Sequence, residues 1–228
     1  MAIVQAQSAG NSRDYDRAEL IADALVHAVG CCLGLTGAVL LLSVAFNSAT
    51  QAEFVSLVVY AFGLLSMLGL SAAYNLLPRS GATLALRSLD HSAIYLMIAG
   101  TYTAVLSQMN STAASIGLLV AVWVTAAVGI ALKLLFPGRF DRLSLVLYLL
   151  LGWCGCLLFG SIATALPSVS LWLLAAGGII YTTGVIFHRW ESLRFQNAIW
   201  HGFVLVAACC HYWAILYSVS QGSIVEPQ

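Results

Sequence analysis

Apolar residues in this chain gather into seven long blocks, at about 20–46, 53–77, 89–109, 112–136, 142–165, 168–189 and 196–219. A helix needs about 20 residues to cross a hydrocarbon layer roughly 30 Å thick, and each block is long enough. The breaks between them are short and polar or turn-forming: FNSATQAE, PRSGATLALRS, QMNS, FPGRFD, LPSVS and HRWESLRFQ. None of these breaks can hold a soluble domain. The pattern predicts an all-α fold, an integral membrane bundle of seven transmembrane helices over 19–220. A short segment, 1–18, precedes it and a short tail, 221–228, follows.

Composition reinforces that reading. Of 228 residues, 61% are hydrophobic and only 8% charged, and the mean hydropathy is +0.94, which excludes a soluble domain with a charged shell. Formal net charge is zero, so there is no basic surface for nucleic acid. The six cysteines stand as Cys31-Cys32, Cys154-x-Cys156 and Cys209-Cys210 inside apolar blocks. With no CxxC spacing they read as small packing residues. The first eighteen residues are polar and lack a cleavable leader pattern, so the first span is expected to direct insertion itself.

Charge placement adds an orientation. The nine basic residues are Arg13, Arg17, Arg79, Arg87, Lys133, Arg139, Arg142, Arg189 and Arg194, all before the first block or at every second break. Lysine and arginine in short loops are retained on the cytoplasmic side. The N-terminus is therefore expected in the cytoplasm and the C-terminus outside. That orientation opposes the one used by G-protein-coupled receptors. A retinal protein is also excluded, because the one lysine, Lys133, ends span four rather than lying deep in the last span.

Ionisable groups inside membrane helices are costly and face the bundle interior, so each is a functional candidate. Most gather at the cytoplasmic level: Asp23 and His27 after Glu19 in span one; Ser71, Tyr74 and Asn75 closing span two; Asp90 and His91 opening span three; Asn197 and His201 opening span seven. Ser71 and Asn75 share one helix face at i, i+4, as do Asp23 and His27, and Asn197 and His201. His211 lies ten residues, or roughly 15 Å, beyond His201 and cannot join the same first shell. For His211 and for His188 a packing role is the plainer reading. Asp90 reads equally as a functional carboxylate or as a helix N-terminal cap. The Gly177-Gly178 pair reads as close helix packing.

The strings ELIADALVHAVG in span one, SAAYN ending span two, LDHSAIYLMIAGTYT in span three and NAIWHGFVLVAACCH in span seven resemble the bacterial hemolysin III family, part of the progestin and adipoQ receptor superfamily. The resemblance covers nearly the whole chain and implies a location in the bacterial cytoplasmic (inner) membrane. In zinc-bearing relatives three histidines hold the metal and an aspartate holds its bound water. The resemblance carries these ligand positions to Asn75, Asn197 and His201, and the aspartate to Asp90. Two of the three are asparagine, whose amide oxygen is a neutral, weak donor beside imidazole. Asp23 stands where the family commonly has asparagine.

The sequence therefore leads to a degenerate zinc-site pocket facing the cytoplasm, in which Asn75, Asn197, His201 and Asp90 are expected to form a hydrogen-bonded network. No cofactor is expected, with zinc as the alternative. Rescue of the site by His27 requires span one to sit beside spans two and seven, and His91 projects about 100° from Asp90. The function implied is membrane-lipid sensing or homeostasis, with a lipid or fatty-acyl ligand as partner and no hydrolase chemistry. The first alternative is a zinc-dependent lipid amidase or esterase, ceramidase-like, with Asp90 and His201 active. The second is a pore-forming hemolysin, against which stands the gathering of polar groups at one depth.

Overall fold

The computed structural model describes residues 16–78 and 80–225. Arg13, Arg79 and the remainder of 1–15 and 226–228 lie outside the described residues. The chain is helical: α1 (Arg17–Ser48), α2 (Gln51–Leu76), α3 (Thr83–Leu106), α4 (Ala113–Leu135), α5 (Asp141–Trp153), α6 (Phe159–Ala165), α7 (Ser168–Arg189) and α8 (Gln196–Val225). A five-residue 3-10 turn, Cys154–Leu158, joins α5 to α6.

Local chemistry sets several of these starts. Asp16, Thr50 and Thr112 each cap a helix through a reciprocal box with Glu19, Glu53 and Ser115. Such boxes satisfy amides that a helix start leaves unpaired. The helices fall close to the apolar blocks, with three differences. α3 starts at Thr83 rather than 89, the last helix runs to Val225, and the block expected as one span at 142–165 is broken.

The break has a specific cause. Tyr102, on α3, donates its hydroxyl to Leu151 O at 2.9 Å and accepts from Gly155 N–H at 2.6 Å. A continuous α-helix would join that same carbonyl and amide to each other. A side chain inserted into the hydrogen-bond ladder is a known origin of helix distortion.

Among the described residues, six segments are long and apolar enough to cross a membrane: α1, α2, α4, α5 with α6, α7 and α8. The remaining long helix, α3, carries Arg87, Asp90 and His91 in its opening half. It is also deeply enclosed, with Tyr95, Ala99 and Ala104 fully buried, and it contacts α2, α4, α5 and α8. Its polar groups thus have protein around them. Outward-facing Val39, Phe46, Leu150 and Trp172 leave an apolar surface too extensive for water, as a membrane bundle requires.

Two contacts position the interior. Gly63 on α2 and Gly100 on α3 allow backbone to approach backbone: a Cβ on Gly100 would lie 3.2 Å from Tyr60 Cα and from Val59 O. On the other side of the bundle α1 contacts both α2 and α8, so the first and last helices are neighbours.

Candidate functional site

The site begins with one face of α1. Glu19, Asp23 and His27 follow each other at intervals of four, and each is 6% exposed. Glu19 Oε1 accepts from Phe195 N–H at 2.9 Å, and Arg194 Nη2 donates to Asp16 Oδ2 at 3.0 Å. Phe195 adopts a left-handed conformation, with φ of 60°, just before α8. Together these contacts fasten the start of α8 to the start of α1.

One and a half turns further along α8, His201 meets the α1 face. Its Nδ1 pairs with Asp23 Oδ1 at 2.6 Å. His27 Nε2 lies 3.7 Å from Asp23 Oδ2, beyond hydrogen-bond length. The two imidazole rings are 4.4 Å apart. One donor atom from each of the three residues falls within 4.8 Å of the others. His27 Nε2 is buried without a hydrogen-bond partner.

The condition for span one to assist the pocket, proximity to spans two and seven, is met by the α1 contacts. The network expected among Asn75, Asn197, His201 and Asp90 is arranged differently. His201 turns to Asp23, an anionic acceptor and stronger than an amide. Asn75 Nδ2 donates to Ser71 O at 2.9 Å, within its own helix. Ser71 and Asp90 face the same cavity. His91 faces away from this group, its Nδ1 3.7 Å from Asp141 Oδ1. Its ring is set by the adjacency to Asp90 that makes the two diverge around α3.

All these groups open onto one cavity of about 1320 Å³. Asp23, His27, Asp90, Asn197 and His201 line its polar part; Met67, Leu68, Met97, Ile98, Leu171 and Leu174 line an apolar part. Asp90 is half-buried, with surface toward the cavity. His211 also lines this cavity, its Nε2 3.2 Å from Leu174 O, over Gly177, where a Cβ would come within 2.3 Å of its ring. His188 is exposed, its ring 4.8 Å from that of Trp200.

Sequence reasoning passed over a second polar cluster. Asp141, the first residue of α5, pairs through Oδ1 with Lys133 Nζ and through Oδ2 with Arg87 Nη2, the latter at 2.7 Å. The Lys133 side chain is only 2% exposed. One signal was present: Asp141 is the single acid among Lys133, Arg139 and Arg142, and a buried cation requires a partner.

Fold and site together define a helical membrane bundle with a histidine-carboxylate cluster opening on an interior cavity. Residues 19–212 match the haemolysin-III related family, and the chain belongs to that family. It is 34% identical over 199 residues to the hemolysin-3 homolog of Bacillus subtilis (strain 168), covering 87% of this chain and 93% of that one. Identity to hemolysin-3 of Bacillus cereus is 33% over 201 residues, 88% and 92% of the two chains. The human monocyte to macrophage differentiation factor is 29% identical over 165 residues, 69% of this chain and 67% of that one, a likeness that extends to the progestin and adipoQ receptor superfamily.

Proposed function

We propose that the chain binds a membrane amphiphile, a lipid or fatty-acyl compound, and acts in membrane-lipid sensing or homeostasis without cleaving it. One observation carries this reading: a single cavity of about 1320 Å³ that joins a polar group at Asp23, Asp90 and His201 to an apolar wall at Met97, Leu171 and Leu174. Cavities that enclose a ligand mostly by apolar surface, with few oriented polar groups, are typical binding sites. A polar headgroup would hydrogen-bond Asn197 and the carboxylate of Asp90, and an acyl chain would occupy the apolar part. In this reading the chain crosses the bacterial cytoplasmic membrane seven times, with α3 as the seventh crossing, its N-terminus and the polar part of the cavity toward the cytoplasm. The basic residues at alternate helix ends support that orientation.

Extraction and mass spectrometry of lipid retained by the detergent-purified protein tests the binding. Retained amphiphile is expected, and Met97→Trp should displace it. Retention unchanged by Met97→Trp, or no retained lipid, would sink the reading. Reporter fusions at residue 228 test orientation: activity of an enzyme that works only outside the cytoplasm is expected.

A second reading, a zinc-dependent lipid amidase or esterase, is favoured by the gathering of Asp23, His27 and His201 on the same cavity as Asp90. A bound zinc ion would supply a Lewis acid and an ionised water. Asp90 would accept the proton of the attacking water at its carboxylate. Release of fatty acid from an amide or ester lipid by the purified protein, lost in Asp90→Asn, would replace the first reading with this one.

A further inference from the structure

The ligand positions implied by the resemblance do not fit a zinc ion. Asn75 directs its amide nitrogen into its own helix, and amide oxygens at Asn75 and Asn197 would leave His201 as the sole strong donor. A different donor set stands beside them. We propose that Asp23, His27 and His201 hold one first-row divalent cation between α1 and α8, a site shifted from α2 toward α1.

Three observations carry the proposal. Donor atoms of the three residues, two imidazole nitrogens and a carboxylate oxygen, lie within 4.8 Å of one another. Asp23 faces both imidazoles, Oδ1 lying 2.6 Å from His201 Nδ1 and Oδ2 3.7 Å from His27 Nε2, near the roughly 3.3 Å that separates donors around a tetrahedral ion with bonds near 2.0–2.1 Å. His27 Nε2 is buried and without a hydrogen-bond partner, a costly state for a polar atom unless something occupies its lone pair or proton. Asp23 is as enclosed as His27, so a carboxylate and two imidazoles share a site of low water content. On cation binding the Asp23–His201 contact lengthens and the His201 ring carries its proton on Nε2, leaving Nδ1 to the ion.

Two imidazoles with one carboxylate select zinc, iron(II) or a similar ion over magnesium or calcium, which prefer six or more oxygens. Three protein donors also leave a coordination position open to the cavity. The proposal goes beyond lipid binding and holds or fails separately from it.

Zinc is the probe. Elemental analysis of the full-length protein, purified in detergent from zinc-supplemented cells or reloaded with zinc, should give about one ion per chain. Asp23→Asn and His27→Gln should each lower that content about tenfold, while the double variant Asn75→Ala, Asn197→Ala should retain it. X-ray absorption at the zinc edge of the unsubstituted protein keeps the test independent of whether variants fold. Two imidazoles with oxygen donors near 2.0–2.2 Å are expected, and a single imidazole would overturn the assignment. It is equally overturned by a protein that stays zinc-free after reloading, by equal zinc in all variants, or by loss in the asparagine double variant with retention in His27→Gln.

Discussion

The hydroxyl of Tyr102 stands between the carbonyl of Leu151 and the amide of Gly155, where an α-helix would join them directly. This phenol both breaks the helix and satisfies the groups that the break releases. Tyr102→Phe removes its bonds and leaves Gly155 N–H to re-pair, while Leu151 O keeps the Cys154 N–H. A loss of about 1–3 kcal/mol is expected, or roughly 2–10 °C in the detergent melting temperature. An unchanged melting temperature would mean that the helix closes its own ladder without strain.

Asp141 gathers Lys133 and Arg87 from two other helices. Removing one member of a buried ion pair strands the other. Asp141→Asn should therefore cost about 1–3 kcal/mol, because Lys133 is almost wholly enclosed while Asp141 itself is 37% exposed. Arg87→Gln should cost less, since Lys133 still neutralises the carboxylate. Melting temperatures in the reverse order would show that Lys133 finds water on its own.

The glycines of α2 and α3 differ in what surrounds them. Gly100→Ala forces a methyl against the backbone of Tyr60 and Val59 and should cost about 1–3 kcal/mol. Gly69 has nothing within 4 Å of an added Cβ, so Gly69→Ala should be neutral or stabilising by about 0.5–1 kcal/mol. Thermal denaturation of the two variants side by side checks the contrast, and equal losses would contradict the close approach of α2 and α3.

At the start of α1, the Asp16 carboxyl is held below the ordinary aspartate value of 3.8, chiefly by accepting from Glu19 N–H and further by Arg194. A depressed carboxyl stabilises the fold above its unfolded value and loses that contribution as pH falls through its lower folded value. Asp16→Asn keeps a capping oxygen and removes the charge beside Arg194. The variant should melt slightly below the unsubstituted protein at about pH 6, and the gap should close on acidification below 3.8. A gap that widens at low pH would contradict the assignment.

The membrane character was legible because hydrocarbon admits few alternatives to long apolar helices. Their ends agreed within a few residues where caps such as Asp16 and Thr50 or loop prolines mark them. The interruption after Trp153 was not legible, since its cause lies 53 residues away in Tyr102. At the site, the shared faces of Asp23 with His27 and of Asn197 with His201 follow from helical spacing alone. The partner of His201 does not: Asp23 is 178 residues distant, and only the packing of α1 beside α8 brings them together. Lys133 was read for its charge as a topological mark, and its burial depends on where Asp141 opens α5.

The neighbouring of first and last helices has a consequence for how the protein is made. Asp23 and His27 emerge from the ribosome first, while His201 follows 178 residues after Asp23. Until α8 enters the bundle, an acid and an imidazole wait within the membrane without their partner, a costly condition. Closure of the bundle by α8 ends it. The cluster therefore forms only once the segment carrying His201 packs against the segment carrying Asp23 and His27.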